Sequence, residues 1–216
     1  MTQLFTRRAS RLFRVSLLVL PLLVGAIFGG LYFYLRSDAA WNVGVPAPQP
    51  IPFRHDLHAG ELGLDCRYCH TSVENAASAG MPSAQTCMTC HSQIWTGLAA
   101  LEPLRTSVAF DTPLEWTSVH KLPGHAFFHH GIHVTKGVAC QTCHGRVDQM
   151  AETVKTETLS MGWCLDCHRN PGAQLNGPDS VFSMIDTAST ALSSQELMAL
   201  HDVVVDNLTD CSTCHR

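Results

Sequence analysis

F-H-H-G-I-H-V-T-K-G-V-A-C-Q-T-C-H, residues 128–144, is the stretch that decides the fold. It ends in C-x-x-C-H, with Cys140, Cys143 and His144, and it begins with F-x-H-x-x-H, with Phe128, His130 and His133. C-x-x-C-H is the attachment motif of a c-type haem. Its two thiols close thioethers onto the porphyrin vinyls, and the adjacent histidine binds the iron from one side. A six-coordinate iron then needs a second ligand. Two histidines without cysteines of their own stand just upstream.

The motif occurs five times: Cys66, Cys69, His70; Cys87, Cys90, His91; Cys140, Cys143, His144; Cys164, Cys167, His168; and Cys211, Cys214, His215. All ten cysteines of the chain are used. Chance would supply roughly 0.03 such motifs at this composition, so the pattern is not incidental. Disulfides do not require a histidine after every second cysteine. Zinc knuckles pair C-x-x-C with a second such pair or a distant histidine pair. The expected cofactors are therefore five covalently attached c-type haems. Residues 37–216 leave only about 36 residues for each, too few for five separate cores. The expected fold is a mostly irregular and α multihaem cytochrome, with few short helices packed around the haems.

The F-x-H-x-x-H element recurs at Phe53, His55 and His58. Cys66 follows His55 by eleven residues and Cys140 follows His130 by ten. A second motif follows each. Residues 53–91 and 128–168 are thus two copies of a two-haem module. A partial third copy spans 199–216, where His201 precedes Cys211 by ten residues, but Ala199 and Val204 replace the Phe and the second His.

Thirteen histidines are present, and eight lie outside the motifs. The repeat nominates His55, His58, His130 and His133 as distal iron ligands, with His201 as a further candidate. Residues i and i+3 share a helix face at different depths, so one histidine can serve its own module's haem while the other reaches a neighbouring haem and clamps the two together. Met161, three residues before Cys164, is also a candidate. His125 and His129 have no counterpart in the repeat and read as incidental.

The charge is uneven. Arg7, Arg8, Arg11, Arg14 and Arg36 fall in the first 36 residues, leaving nine Lys and Arg against eighteen Asp and Glu downstream. That balance argues against nucleic acid as a partner. It suits a basic soluble electron carrier. Residues 15–35 carry no charge and are long enough to span a bilayer. The expected order is a cytoplasmic basic arm (1–14), a single transmembrane anchor (15–36), a Pro-rich extended linker (37–52) and a pentahaem domain (53–216). Four arginines precede the anchor, so the haem domain is expected on the periplasmic side of a bacterial inner membrane. A helix is expected through Ile94, Leu98, Leu101 and Leu104, and a capping box at Ser193 and Glu196. Segment 171–192 carries no legible signal.

The stretches F-R-H-D-L-H-A-G-E-L-G-L-D-C-R-Y-C-H (53–70), A-G-M-P-S-A-Q-T-C-M-T-C-H (79–91) and L-S-M-G-W-C-L-D-C-H-R (159–169) resemble class III-type multihaem cytochromes. In particular they resemble the membrane-anchored pentahaem subunit of alternative complex III, a bacterial quinol:electron acceptor oxidoreductase. The resemblance covers about residues 53–170. It implies a large iron–sulfur subunit, polytopic quinol-binding subunits and a monohaem cytochrome as neighbours. A soluble cytochrome c or blue-copper protein is then the expected acceptor. It implies mostly His/His haems and allows one His/Met haem, with Met161 in S-M-G-W-C and His120 in V-H-x-L-P as ligand candidates. The chain would then be an electron-transfer subunit and no enzyme by itself. Two other functions are a self-contained, membrane-anchored multihaem quinol dehydrogenase and a catalytic nitrite- or sulfite-type reductase. The last needs an open iron, and five intact motifs with spare histidines argue against it.

Overall fold

The structure is a computed structural model that describes residues 5–184 and 192–215. It divides into two compact units, residues 1–42 and 43–216.

The first unit is dominated by α1 (Arg7–Leu35). Thr6 caps its start, where Oγ1 accepts the Ala9 N–H at 3.2 Å. The helix therefore takes in most of the stretch expected as a separate basic arm, because Arg and Leu are good helix formers and nothing breaks the chain before Val15. Its 29 residues extend about 43 Å, more than a bilayer core requires. Pro21 sits inside it. At its end the Trp41 indole donates to the Leu35 carbonyl at 2.9 Å, and the Arg36 guanidinium lies 4.6 Å over the Tyr32 ring. Among the described residues this is one helix long and apolar enough to cross a membrane.

The expected linker 37–52 is corrected by the structure. Asp38–Trp41 form a 3-10 turn, and the chain from Val43 onward belongs to the larger unit. The Gln49 carboxamide makes two hydrogen bonds to the Thr117 backbone, at 2.9 and 3.0 Å. Ile51 is 5 % exposed and packs with Ala84 and Leu104. Alternating prolines keep this segment extended, as expected, but its apolar side chains give it a docking face.

The larger unit contains no strand among its described residues, only two isolated bridges, Ala126 with His215 and Val138 with Leu175. Its helices are short: α2 (Cys66–Cys69), α3 (Ala84–His91), α4 (Glu102–Phe110), α5 (His130–Thr135), α6 (Cys140–His144), α7 (Met161–Arg169), α8 (Ser194–Leu200) and α9 (Cys211–Cys214). The first F-x-H-x-x-H forms a wide π turn, Asp56–Glu61, directly after His55. The helix expected from Ile94 starts later. Trp95 takes a left-handed φ of 54°, Pro103 sets the first turn of α4, and Asp111 ends it at φ 51°. Leu104 is buried at 1 %, while Ile94 and Leu98 stay exposed.

In segment 171–192, of which 185–191 lie outside the described residues, residues 175–184 pack against the third motif and its approach. The Val181 carbonyl accepts from Cys140 N at 3.1 Å and the Gly137 carbonyl accepts from Asn176 N at 2.8 Å. Leu175, Val181 and Met184 are buried. The capping box is present: Ser193 Oγ accepts from Glu196 N, and the Glu196 carboxylate accepts from Ser193 N at 2.7 Å. Nine apolar side chains are buried among the described residues, a small core for a unit of this length.

Candidate haem sites

Each C-x-x-C-H forms or ends a helical turn, so its two thiols and its imidazole project from one face. The backbone N–H of the histidine bonds the carbonyl of the first cysteine at 2.9 Å in His70 and in His215. Asp65, Ser83 and Ser160 cap the first, second and fourth motif helices through side-chain oxygens.

The two F-x-H-x-x-H copies superimpose in their ring geometry. Phe53 lies edge-on to His55 at 4.8 Å and stacks on His58 at 4.5 Å. Phe128 lies edge-on to His130 at 4.8 Å and against His133 at 4.3 Å. The phenyl ring thus separates the two imidazoles in each copy and turns them toward different motifs. His58 faces His91 at 6.3 Å between ring centroids, His133 faces His168 at 6.2 Å, and His130 faces His144 at 6.3 Å. Two imidazoles bound to one metal ion at roughly 2 Å per bond, each with its centroid about 1 Å behind the nitrogen, have this separation. His55 lies within electrostatic reach of His70.

The outer nitrogens are tied down. Nδ1 donates to a carbonyl in His58 (Arg54, 2.8 Å), His70 (Gly80, 2.8 Å), His130 (Ala77, 2.8 Å), His133 (His129, 2.9 Å), His168 (Leu208, 2.7 Å) and His215 (His125, 3.0 Å). His91 Nδ1 does so to Ile94 at 3.3 Å, and His55 Nδ1 pairs with the Thr153 hydroxyl at 2.8 Å. In the rings whose Nδ1 donates to a carbonyl, Nε2 is left unprotonated, the tautomer that metal-bound histidines take. Burial holds several of these rings neutral: His144 is pushed down to about 3, His55 to about 4, and His133 is lowered as well. Neutral imidazole is the form that binds iron, so the donor set fits haem.

The remaining candidates are sorted by the structure. His201 Nε2 donates to the Asn176 carbonyl at 2.7 Å, so its ligating nitrogen carries a proton. The backbone of Gly137 lies so close to the His201 ring that a Cβ there would overlap it. The repeat-based nomination of His201 gives way to this structural role. His125, read as incidental from the sequence, stands 5.6 Å from the His215 ring at 28°. The signal for it is the pairing of residues 125–127 with the fifth motif, including Phe127 N to the Cys214 carbonyl at 2.7 Å. That contact spans 90 residues between His125 and His215 and leaves no local trace. Met161 opens α7 at 61 % exposed, while His133 faces the histidine of that motif. His120 lies 4.2 Å edge-on to His144, too close for an iron between them, and its buried Nε2 has no hydrogen-bond partner. His129 caps α5, its Nδ1 accepting from Ile132 N at 3.3 Å.

Comparison with known proteins bears on the same motifs. Residues 126–216 match the family model described as cytochrome c7 and related cytochrome c. The multihaem cytochrome c subunit of a menaquinone reductase from Nitratidesulfovibrio vulgaris is 33 % identical over 98 residues, 44 % of this chain and 45 % of that protein. The chain thus spans less than half the length of the relative it matches. With the helical fold and no strand among the described residues, these findings support a multihaem cytochrome c-type fold over residues 126–216, and the C-x-x-C-H motifs are of the kind that attaches haem in such proteins.

Proposed function

We propose that this chain is the membrane-anchored pentahaem subunit of a multisubunit quinol:acceptor oxidoreductase of the alternative complex III type. In it, electrons from quinol oxidised in a polytopic partner pass through the chain to a periplasmic carrier. The observation that carries the proposal is the opposition of a second imidazole to four of the five motif histidines, with His55 within electrostatic reach of the remaining one, His70.

On this reading Cys66 and Cys69, Cys87 and Cys90, Cys140 and Cys143, Cys164 and Cys167, and Cys211 and Cys214 hold five haems. The ligand pairs are His70 with His55, His91 with His58, His144 with His130, His168 with His133, and His215 with His125. Bound there, the haems supply one-electron transfer at fixed positions. The chain's own residues orient the ligands through the Nδ1 contacts and keep paired imidazoles apart with Phe53 and Phe128. Two ligands at every site leave no coordination position for a substrate, so the subunit transfers electrons and does no bond chemistry itself. α1 holds the domain at the membrane, with its arginines on the cytoplasmic side.

A second reading takes its direction from the relative's name: the same arrangement serves a quinone reductase, with electrons arriving from a soluble carrier. Gentle purification from membranes tests both. An iron–sulfur subunit and polytopic partners that oxidise quinol support the first; reduction of menaquinone by a reduced carrier supports the second. A lone chain that oxidises quinol overturns both in favour of a self-contained dehydrogenase.

A further inference from the structure

We propose that the five sites form one unbranched row in the order second, first, third, fourth, fifth, with the second and fifth at its two ends. The proposal rests on the reading that all five motifs carry haem.

The middle of the row is set by a reciprocal exchange between the two copies. The ligand turn of the first copy rests on the segment that follows the third motif: Asp56 N donates to the Met150 carbonyl at 3.1 Å, and His55 Nδ1 pairs with Thr153. The ligand turn of the second copy rests on the segment that follows the first motif. There Gly131 N donates to the Ala76 carbonyl at 3.1 Å, and both nitrogens N and Nδ1 of His130 donate to Ala77. The Cys66 and Cys140 side chains lie within interaction range of each other. The first and third sites are therefore neighbours, and the second motif of each copy is pushed outward.

On one side, Tyr68 Oη and Thr89 Oγ1 join the first and second motif helices at 2.7 Å, and Cys69 lies within electrostatic reach of Cys87. On the other, α5 presents His130 to the third motif and His133 to the fourth, and Cys143 lies within reach of Cys164 and Cys167. His168 then donates to the Leu208 carbonyl, three residues before the fifth motif, and Cys164 lies within reach of Cys214. Exposure agrees with the ends: Cys90 and Cys211 are exposed, and the other eight motif cysteines are partly buried. At the second site the exposed Trp95 stacks on His91 at 5.8 Å.

The row is tested on the haem-loaded full chain in detergent. Alanine replaces two distal ligands at a time from His58, His55, His130, His133 and His125, opening two irons to nitric oxide. Fully reduced, the untouched low-spin haems are diamagnetic, and dipolar coupling between the two nitrosyl spins gives their separation. Separation from the second site should grow in the order first, third, fourth, fifth. A second-to-fifth distance no longer than the first-to-fourth distance, or a fifth site nearest the first, overturns the row. Where an alanine variant does not accumulate, methionine at the same position raises that site's potential, and only its predicted neighbours should shift in a redox titration. A shift at a non-neighbour counts against the row. Alkylatable motif thiols in the unfolded chain would overturn the haem reading itself, an outcome separate from any distance.

Discussion

His125 and His201 differ in what their rings face, and that difference sets opposite expectations for two substitutions of the same kind. His201 spends Nε2 on the Asn176 carbonyl at 2.7 Å, whereas His125 stands ring to ring with His215. His125→Ala should open one iron, seen as CO binding in a ferrous difference spectrum at about one fifth of the haem. His201→Ala should bind no CO. It should instead lower thermal stability by roughly 1–3 kcal/mol, because the Asn176 carbonyl loses its donor. Equal CO binding by the two variants would return His201 to the ligand set. The repeat exposed four distal candidates because F-x-H-x-x-H is local. It could not expose His125, whose partner is 90 residues away.

α5 shows how a short element is held by what it rests on. Six residues cannot sustain a helix in water, so its stability comes from the contacts of its first turn with residues 74–77. A Cβ on Gly131 would meet the Glu74 carbonyl oxygen at 2.7 Å. Gly131→Ala should therefore cost about 1–3 kcal/mol in a thermal melt and disturb the third and fourth sites together, since α5 presents His130 to His144 and His133 to His168. A melt unchanged within error would show that 74–77 yields without cost. α8 has a different support. Ser193→Ala removes one half of its capping box and should cost about 1 kcal/mol, leaving the haem spectrum unchanged. That box was readable from Ser193 and Glu196 alone. The late start of α4 was not, because the apolar spacing from Ile94 to Leu104 fits a helix until the left-handed Trp95 and Pro103 are considered.

Across the whole molecule, the boundary between the units falls at residue 42, ten residues before the point that proline spacing suggests. A chain beginning at Val43 behind a cleavable export signal should give soluble, haem-loaded protein. A chain beginning at Phe53 loses Ile51 and the two Gln49 bonds to Thr117, and should be less stable by about 2–4 kcal/mol. Denaturation midpoints of the two truncations measure this. Equal midpoints would restore 43–52 to the status of a linker. A small protein core makes the difference large, because few other apolar contacts stand behind the one removed.

What the sequence determined by itself is the local chemistry. Five C-x-x-C-H motifs, the spacing of F-x-H-x-x-H and an uncharged run of 21 residues each act within a few helical turns, so their meaning is carried by neighbouring residues. Fold class, the candidate haem-attachment motifs and the presence of one long apolar helix follow from them. What only the tertiary structure decided is pairing over distance. It set which imidazole faces which motif, that His125 rather than His201 faces His215, that Met161 stays at the surface, and that the two copies exchange supports across residues 74–77 and 147–153. Those outcomes depend on loop closure and packing among segments far apart in the chain, and no short window of residues carries that information.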